Sequence, residues 1–256
     1  MFSDLGLRVV AVDLDPQADL TASFFGEEFL EKLWSDSRVP SAISIVYNQL
    51  YLIPWTPKRL EIYDSVGPVS FRSELSENGD IILVDLGTDF GRINRNILAD
   101  ADYFVIPVAP DIFGVQRMRS VGVDLRRSSL EHNGGARPLG YVVQQHSVRL
   151  DRPLSSYDKW LAKIPGEFRR SILGESAGQE GASVKDDPWC LALLKHYHSL
   201  MPMAQEAQKP MFHLTAADGA IGAHFQAAQS AGKDFEKLAK RIAERAGLRL
   251  PQLSGA

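Results

Sequence analysis

The sequence has 256 residues, 45% of them hydrophobic and 23% charged, which suits one large α/β domain with a sizeable core. Its formal net charge of −4 gives no global sign of a nucleic-acid-binding protein, so any contact with DNA must come from a local patch. A single cysteine excludes an internal disulfide and favours a reducing cytoplasm. No apolar run approaches the roughly 20 residues that span a bilayer, and the first residues do not resemble a secretory signal. The sequence therefore predicts a cytoplasmic protein without a membrane segment.

Two short apolar runs each end in an aspartate. The first runs from Arg8 to Asp13 and is followed by Asp15, and the second runs from Ile81 to Asp85. Both are apolar nearly throughout, as expected of strands in a parallel sheet that is covered by helices on both faces. Because ligands of open parallel sheets bind beyond the carboxyl ends of the strands, the two runs predict a shared acidic site for Mg²⁺ and phosphate. The alternative for a single aspartate in such a position is a helix cap or a turn former.

Helical and apolar stretches alternate through the first part of the chain, which predicts βαβ units and a mostly parallel sheet. We therefore predict an α/β fold with a doubly wound sheet that is flanked by helices. The predicted helices are 17–25, 41–50, 68–76, 91–101 and 114–131, and the predicted strands after the first are 52–54, 81–85, 103–108 and 139–143.

The C-terminal part is predicted to be mainly helical, and all 256 residues are expected to form one domain. A helix over 151–163 is broken by Pro165 and Gly166, and the Gly- and Ser-containing stretch 174–187 predicts a mobile surface loop. Asp187 followed by proline is a typical helix start, so we expect a helix from there towards Gln208. A short last strand over 211–214 and a long final helix complete the prediction.

Four stretches together resemble the ParA branch of the ParA/MinD partition ATPases. The most specific is Val12-Asp13-Leu14-Asp15-Pro16-Gln17-Ala18-Asp19-Leu20-Thr21, and a second, Ile82-Leu83-Val84-Asp85, lies at the position of that family's Walker B strand. Residues 101–108 and 206–210 extend the similarity over most of the chain, whereas 27–75 match poorly. The resemblance implies a P-loop NTPase-like fold.

The resemblance also implies roles for the acidic residues, with ATP and Mg²⁺ as cofactors. Asp15 would orient or activate the attacking water, and Asp13 and Asp85 would hold Mg²⁺, largely through its waters. Pro16 and Gln17, which follow Asp15, would belong to the same nucleotide site.

Base recognition and partners follow from the same resemblance. Gln144 follows a strand where relatives often contact adenine, although a polar loop residue is the alternative interpretation. ParA-like proteins work as ATP-gated homodimers that bind DNA non-specifically and respond to a ParB-like partner. The resemblance thus implies a function in plasmid or chromosome partition and a nucleoid-associated location in the cytoplasm.

One expected part of the family's site is missing from the sequence. Relatives carry a first strand and a phosphate loop of the form Lys-Gly-Gly-x-Gly-Lys-Thr before these motifs, and no such run exists here. A start upstream of Met1, a degenerate relative and a deliberately shortened chain are the competing explanations. Without the loop's backbone N–H groups and lysine, phosphate charge is uncompensated, so we expect little or no ATP hydrolysis by these 256 residues.

Two alternatives to a partition ATPase stay open. The first is a non-catalytic binding or dimerisation protein derived from a ParA-like ATPase. The second is a metabolic P-loop enzyme of the same superfamily, against which the Asp-Pro-Gln sequence argues. The residues after Asp85 also depart from the small residues and prolines usual in the family, and they add Asp89, whose role the sequence leaves open.

Basic residues accumulate in the last predicted helix and could contact DNA phosphates without reading sequence. A solvated helix face with i,i+4 ion pairs is the interpretation that we favour, and the Arg-rich helix 114–131 allows the same two interpretations and also dimerisation. The histidines do not form a pattern typical of a zinc site, and Cys190 is expected to be packed rather than reactive. The basic residues of the last predicted helix are Lys233, Lys237, Lys240, Arg241, Arg245 and Arg249, and its acidic residues are Asp234, Glu236 and Glu244.

Overall fold

A computed structural model describes most of the chain, and its residues form two compact units. The first unit comprises residues 1–100, 198–233 and 248–256, and the second comprises 101–197 and 234–247. The described residues are 1–35, 43–44, 49–54, 56, 75, 77, 79–87, 91–132, 135–146, 148–149, 152–153, 155–175 and 183–251.

The first unit is built on a four-stranded sheet in the order β2-β3-β1-β4, in which β1 runs parallel to both β3 and β4 and the short β2 is antiparallel. All six residues of β1 are buried, as its position between two strands and two helical layers requires. The elements of this unit are β1 (Val9–Leu14), α1 (Asp19–Phe25), α2 (Glu27–Ser35), β2 (Ile43–Ser44), β3 (Leu50–Ile53), β4 (Ile81–Leu86) and α3 (Arg92–Asp100).

Alternation along β1 sends its side chains to two separate apolar clusters. Val10 and Val12 pack on one face of the sheet, together with Ile97 of α3. Ala11 packs on the other face against Leu20 and Phe24 of α1. Asp13 continues the Ala11 side of the strand, so its carboxylate is directed towards α1.

The second unit contains the parallel sheet β5-β6-β9, which is covered by helices on both faces. Val108 and Tyr141 pack with α4 and α6 on one face, whereas Leu139 and Leu191 pack with the C-terminal part of α8 on the other. The elements here are β5 (Tyr103–Val108), α4 (Ile112–His132), β6 (Arg137–His146), β7 (Val148–Arg149), β8 (Arg152–Pro153), α5 (Ser155–Leu161), α6 (Ile164–Phe168), a π-helical turn (Arg169–Leu173) and β9 (Cys190–Lys195). The helices α7 (Leu200–Ala207) and α8 (Ala223–Ala246) follow β9 along the chain.

The fold class predicted from the sequence is confirmed: the chain is an α/β protein whose parallel sheets are flanked by helices. The predicted strands that end at Asp13 and Asp85 and the strand over 103–108 agree with the structure to within one or two residues. The long helices over 114–131 and at the C-terminus are confirmed as α4 and α8. Within the residues that the structure describes, no helix is both long and apolar enough to cross a membrane.

The helix predicted from Asp187 to Gln208 is wrong in its first half. Residues Cys190–Lys195 instead form β9, which pairs with β6 and buries Leu191 and Leu194. A run of apolar residues fits a fully buried parallel strand as well as a helix, and only a free sheet edge in the fold decides between them. The predicted strand over 211–214 is also wrong, since Met211–His213 form a 3₁₀ turn.

Three further predictions touch residues that the structure describes only in part. The helix predicted over 41–50 is contradicted at Ile43–Ser44, which form β2, while 45–48 lie outside the described residues. The helix predicted over 68–76 lies almost entirely outside them. Of the predicted mobile loop over 174–187, residues 176–182 lie outside, and the stretch after them buries Val184 and Asp187.

Candidate functional site

The two aspartate-ended strands are neighbours in the first unit, and their aspartates are paired. In the register of β1 and β4, Asp13 lies opposite Asp85 and Leu14 opposite Leu86. Because the strands are parallel, both carboxylates lie at the carboxyl edge of the sheet, where open α/β sheets bind their ligands. The sequence-predicted meeting of Asp13 and Asp85 is therefore found in the structure.

Asp13 is fully buried and saturated by protein donors. One carboxylate oxygen accepts the backbone N–H of Asp15 at 3.1 Å, and the other accepts the backbone N–H of Thr21 at 2.8 Å and its hydroxyl at 2.6 Å. Burial raises the pKa of Asp13, and the hydrogen bonds from Thr21 and Asp15 oppose that rise. This geometry makes Asp13 the residue that fixes the loop between β1 and α1, rather than a side chain that is open to solvent.

Asp15 is held in a tight turn but keeps one carboxylate oxygen available. Its Oδ1 accepts the backbone N–H of Gln17 at 2.9 Å, and its carbonyl accepts the N–H of Ala18 at 2.8 Å. Ala18 is buried with φ of 55°, a left-handed conformation that is uncommon for a residue other than glycine. Within the described ranges, no protein donor reaches Oδ2 of Asp15. Pro16 and Gln17 are exposed beside it.

The loops that follow β1 and β4 meet at Gly87. A Cβ atom on Gly87 would lie 3.0 Å from Cδ of Pro16 and 3.2 Å from Oδ1 of Asp15, so a larger residue would press on the turn. The buried side chain of Asn94, on α3, donates to the carbonyl of Gly87 at 2.9 Å and holds this loop in place. Asp89 and its two neighbours lie outside the described residues.

Asp85 is a carboxylate whose negative charge a bound cation would stabilise. Desolvation by the surrounding atoms, and then the negative charges of Asp13, Asp15 and Asp19, raise its pKa to about 6. The residue nevertheless keeps solvent access, so an ion can reach it. Among the residues that the structure describes, no group of three or more His, Cys, Asp or Glu side chains is arranged to enclose a metal on its own. The donor set therefore suits an ion that keeps several waters, as Mg²⁺ does.

Gln144 lies in the second unit, at a distortion near the carboxyl end of β6. Val143 pairs with Leu193 and His146 with Lys195, so three steps on β6 match two on β9. Gln145 takes up the extra residue with φ of 55°, and both glutamines are exposed. Such bulges re-aim side chains and are common beside functional sites.

Three residues that build the site were not singled out from the sequence. Thr21 binds Asp13, Gly87 allows the two loops to meet, and Asn94 holds the second loop. Thr21 offered a weak signal, since a hydroxyl residue in the first turn of the helix after an aspartate-ended strand can bond back to that aspartate. Gly87 and Asn94 offered none, because their roles depend on contacts between separate loops.

The chain is similar in sequence to known proteins. No protein-family model matches the chain. An uncharacterized protein of Methanocaldococcus jannaschii is 25% identical over 213 residues, which cover 71% of this chain and 80% of that protein. The chromosome-partitioning ATPase Soj of Thermus thermophilus is 26% identical over 150 residues, which cover 57% of this chain and 60% of Soj.

Solved structures share the fold over nearly the whole chain. The ATP complex of a McdA variant from Cyanothece covers 99% of this chain and 92% of its own, with a TM-score of 0.66 and 16% identity. The chain shares the fold of McdA, ParA and MinD structures. The structure of pNOB8 ParA bound to nonspecific DNA covers 95% of this chain and 89% of its own, with a TM-score of 0.58 and 18% identity. The MinD structure from Pyrococcus furiosus covers 95% of this chain and 88% of its own, with a TM-score of 0.58 and 15% identity.

Proposed function

We propose that this chain is a ParA-like component of DNA partition whose carboxyl sheet edge in the first unit is the acidic half of a Mg·ATP site. The observation that carries the proposal is the pairing of Asp13 with Asp85, beside an oxygen of Asp15 that no donor among the described residues reaches. Two similar proteins support a function in partition. Soj is named a chromosome-partitioning ATPase, and pNOB8 ParA, which shares the fold, has a structure bound to nonspecific DNA.

Each acidic residue has a separate function in this proposal. Asp85, solvent-accessible and surrounded by negative charge, helps hold Mg²⁺ through its coordinated waters. Asp15 offers Oδ2 to the attacking water, because its Oδ1 is engaged by Gln17. Asp13 positions both by fixing the β1–α1 loop. Bound Mg²⁺ would neutralise part of the phosphate charge of ATP.

The acidic residues by themselves are not enough for rapid ATP hydrolysis. It contains no Lys-Gly-Gly-x-Gly-Lys-Thr run, so the backbone donors and the lysine that offset phosphate charge are absent from these 256 residues. We therefore propose that this chain by itself hydrolyses ATP at the background rate or slightly above it. Asp85 and Asp15 would then give Mg²⁺-dependent binding that is weaker than in a complete site.

Base recognition is assigned to the bulge of β6 in this proposal. Gln144 is exposed, and its amide can both donate to and accept from the edge of an adenine ring. Exposed Pro16 and Gln17 contribute to the nucleotide site of the first unit. The bulge at Gln145 supports the assignment, because it removes this part of β6 from regular pairing.

DNA binding is assigned to the exposed basic row on α8. Lys233, Lys237 and Arg241 recur every four residues, and Lys240 lies on the same side of the helix. All four are exposed, although Lys240 also pairs with Glu236 at 2.5 Å. A row of cations of this kind binds phosphates without reading sequence. An ATP-dependent homodimer on the nucleoid, stimulated by a ParB-like partner, completes the proposed function.

The first test is calorimetric titration of the 256-residue chain with Mg·ATP. We expect Mg²⁺-dependent binding that Asp15→Asn and Asp85→Asn weaken, with Glu31→Gln, an exposed charge on α2, as the matched control. A coupled phosphate-release assay on the same samples should stay at background. Failure of a folded chain to bind Mg·ATP at millimolar concentrations would contradict the nucleotide site.

A second candidate is a non-catalytic DNA-binding or dimerisation protein derived from such an ATPase. The saturation of Asp13 by protein donors favours it. Gel-shift titration with duplex DNA discriminates the two: binding that is the same with and without Mg·ATP supports the non-catalytic protein, and binding that requires Mg·ATP supports the partition ATPase.

A further inference from the structure

A concave surface lies in the second unit, at the opposite end of β6 from Gln144. It is an open groove of about 490 Å³ near the amino-terminal ends of β5 and β6. Arg137 at one end of β6 and Gln144 towards the other are separated by about 20 Å of strand. The groove is therefore separate from the proposed base site. Its lining consists of two aromatic residues, two arginines, two prolines and a leucine: Tyr103, Trp189, Arg137, Arg245, Pro138, Pro188 and Leu139.

One wall of the groove holds the Arg137 guanidinium in a fixed position. The guanidinium carbon lies 4.9 Å from the centroid of the Tyr103 ring, and Nη2 donates to the Tyr103 hydroxyl at 2.8 Å. That hydroxyl donates in turn to the carbonyl of Ala246 at 3.2 Å. Arg137 is otherwise exposed, so most of its N–H groups face solvent.

The other wall holds Arg245 by backbone carbonyls instead of carboxylates. Its guanidinium donates to the carbonyls of Leu139 and Pro188 and lies 5.7 Å from the centroid of the Trp189 ring. Gly140 makes this arrangement possible, because a Cβ there would lie only 2.3 Å from the carbonyl oxygen of Trp189. Both arginines are thus oriented before any ligand arrives, which lowers the entropy cost of binding.

The two arginines of the groove have no direct carboxylate partner among the described residues. In the part of the chain that the structure describes, neither Arg137 nor Arg245 lies within 4.0 Å of a carboxylate. Asp187, which is near Arg245, already accepts hydrogen bonds from Tyr141 and Arg169. Glu244 is the other acidic group that acts on Arg245, and the positive charge of Arg241 opposes it.

We propose that this groove binds an acidic peptide segment of a partner protein, with a carboxylate on Arg137 and an apolar side chain on Trp189 and the two prolines. Planar guanidinium groups match carboxylates with paired hydrogen bonds. Duplex DNA is the less suitable ligand, because its backbone has no apolar group for the prolines and Trp189. An open groove also suits an extended chain better than a small molecule, which needs most of its surface buried.

The proposal does not rest on the nucleotide site and is tested separately. The probe is a fluorescein-labelled, terminally blocked peptide, Glu-Pro-Leu-Glu-Pro-Leu-Glu, and its counterpart has glutamine in place of each glutamate. Fluorescence polarisation should show saturable binding of the glutamate peptide and binding about tenfold weaker for the glutamine peptide, since charge-assisted hydrogen bonds are lost. Equal binding of the two peptides, or no binding at millimolar concentration, would overturn the proposal.

Variants decide whether the groove is the binding surface. Arg137→Gln should weaken binding of the glutamate peptide by about fivefold or more, because a charge-assisted pair is removed. Lys32→Gln removes the same charge from an exposed position on α2, outside the groove, and should change binding less than about twofold. Arg137 is exposed and contacts only Tyr103 among the interactions described above, so a thermal melt should show the variant folded. Equal losses in both variants would overturn the proposal in favour of general electrostatic attraction.

Competition with DNA distinguishes the remaining possibility. Unlabelled duplex DNA should leave peptide binding unchanged at physiological salt, and Arg137→Gln should leave DNA affinity unchanged. If DNA displaces the peptide and Arg137→Gln weakens DNA binding by the same factor, the groove is part of a nucleic-acid surface and the proposal fails.

Discussion

Asp13 and Asp85 lie directly opposite each other on the neighbouring parallel strands β1 and β4. Two carboxylates in this relationship repel each other, and the structure treats them differently. Asp13 is buried and accepts three hydrogen bonds, which oppose the rise that burial causes in its pKa, whereas Asp85 reaches solvent and its pKa is raised to about 6. The pair therefore combines one structural carboxylate with one that gains from binding a cation.

The pH dependence of stability should report Asp85. Its pKa of about 6 in the folded chain exceeds the ordinary 3.8, so the folded chain binds more protons between those values and stability falls as pH rises through them. Asp85→Asn removes the free-energy cost of holding an ionised Asp85 in the folded chain. In EDTA, we expect Asp85→Asn to be more stable than the unchanged chain by about 1 kcal/mol at neutral pH, after allowance for solvent screening, and equally stable near pH 4.

Urea denaturation followed by circular dichroism at both pH values measures this difference. Mg²⁺ at neutral pH should stabilise the unchanged chain and leave Asp85→Asn unaffected. Glu31→Gln, an exposed substitution on α2, is the control. An offset of Asp85→Asn that is the same at neutral pH and near pH 4 would contradict the assigned pKa.

The hydroxyl of Thr21 should stabilise the first unit through Asp13. Thr21→Val keeps the shape of the side chain but removes the donor that lies 2.6 Å from the buried carboxylate. We expect the free energy of unfolding to fall by about 1.5–3 kcal/mol, as for a lost hydrogen bond to a charged buried group. Thr21→Ser retains the donor and should lose only about 1 kcal/mol from the missing methyl. Equal losses in the two variants would show that packing, not the hydrogen bond, matters here.

Two helical glycines should respond in opposite ways to alanine. A Cβ on Gly122 of α4 would lie 2.2 Å from the carbonyl oxygen of Ser171, in the π-helical turn, so the two elements would have to separate. We expect Gly122→Ala to destabilise the chain by about 1–3 kcal/mol. Gly166→Ala in α6 meets no atom within 4 Å and should stabilise it by up to about 1 kcal/mol through helix propensity. Thermal unfolding of both variants checks the difference, and a neutral Gly122→Ala would contradict the close approach.

The basic row on α8 should give DNA binding its salt dependence. Changing Lys237 and Arg241 to glutamine removes two exposed cations from one face, so affinity for duplex DNA should fall about tenfold and the slope of log K against log salt should decrease by about 1–2. Changing Lys159 and Lys163 to glutamine removes equal charge from exposed positions beside Trp160 and serves as the control. Filter binding across a salt series measures both, and equal slopes would place the DNA surface elsewhere.

The strands β1, β4 and β9 show where prediction from the sequence succeeds and where it fails. β1 and β4 were predictable because a fully buried parallel strand needs an unbroken apolar run, and each run stops at an aspartate. The same reasoning failed at Cys190–Lys195, where an apolar run follows a good helix start but pairs with β6 instead. Local patterns did not contain the information that β6 offers a free edge there.

The candidate site also has features that the sequence predicts and features that it does not. The approach of Asp13 to Asp85 was predictable because both aspartates end apolar runs, and parallel strands bring such ends to one edge of the sheet. The contacts of Asp13 with Thr21 and of Gly87 with Pro16 were not predictable, because each joins residues whose distance along the chain says nothing of their distance in space.

By itself, the sequence determined the α/β class, the two aspartate-ended strands and the likeness to ParA-type proteins, since burial on both faces, turn chemistry and motifs are written in neighbouring residues. Only the tertiary structure decided which aspartate is buried and which is open, where β9 belongs, and that Arg137 and Arg245 meet in one groove. Those features depend on long-range packing, in which the surroundings of a side chain and not its own type set its charge, its partners and its exposure.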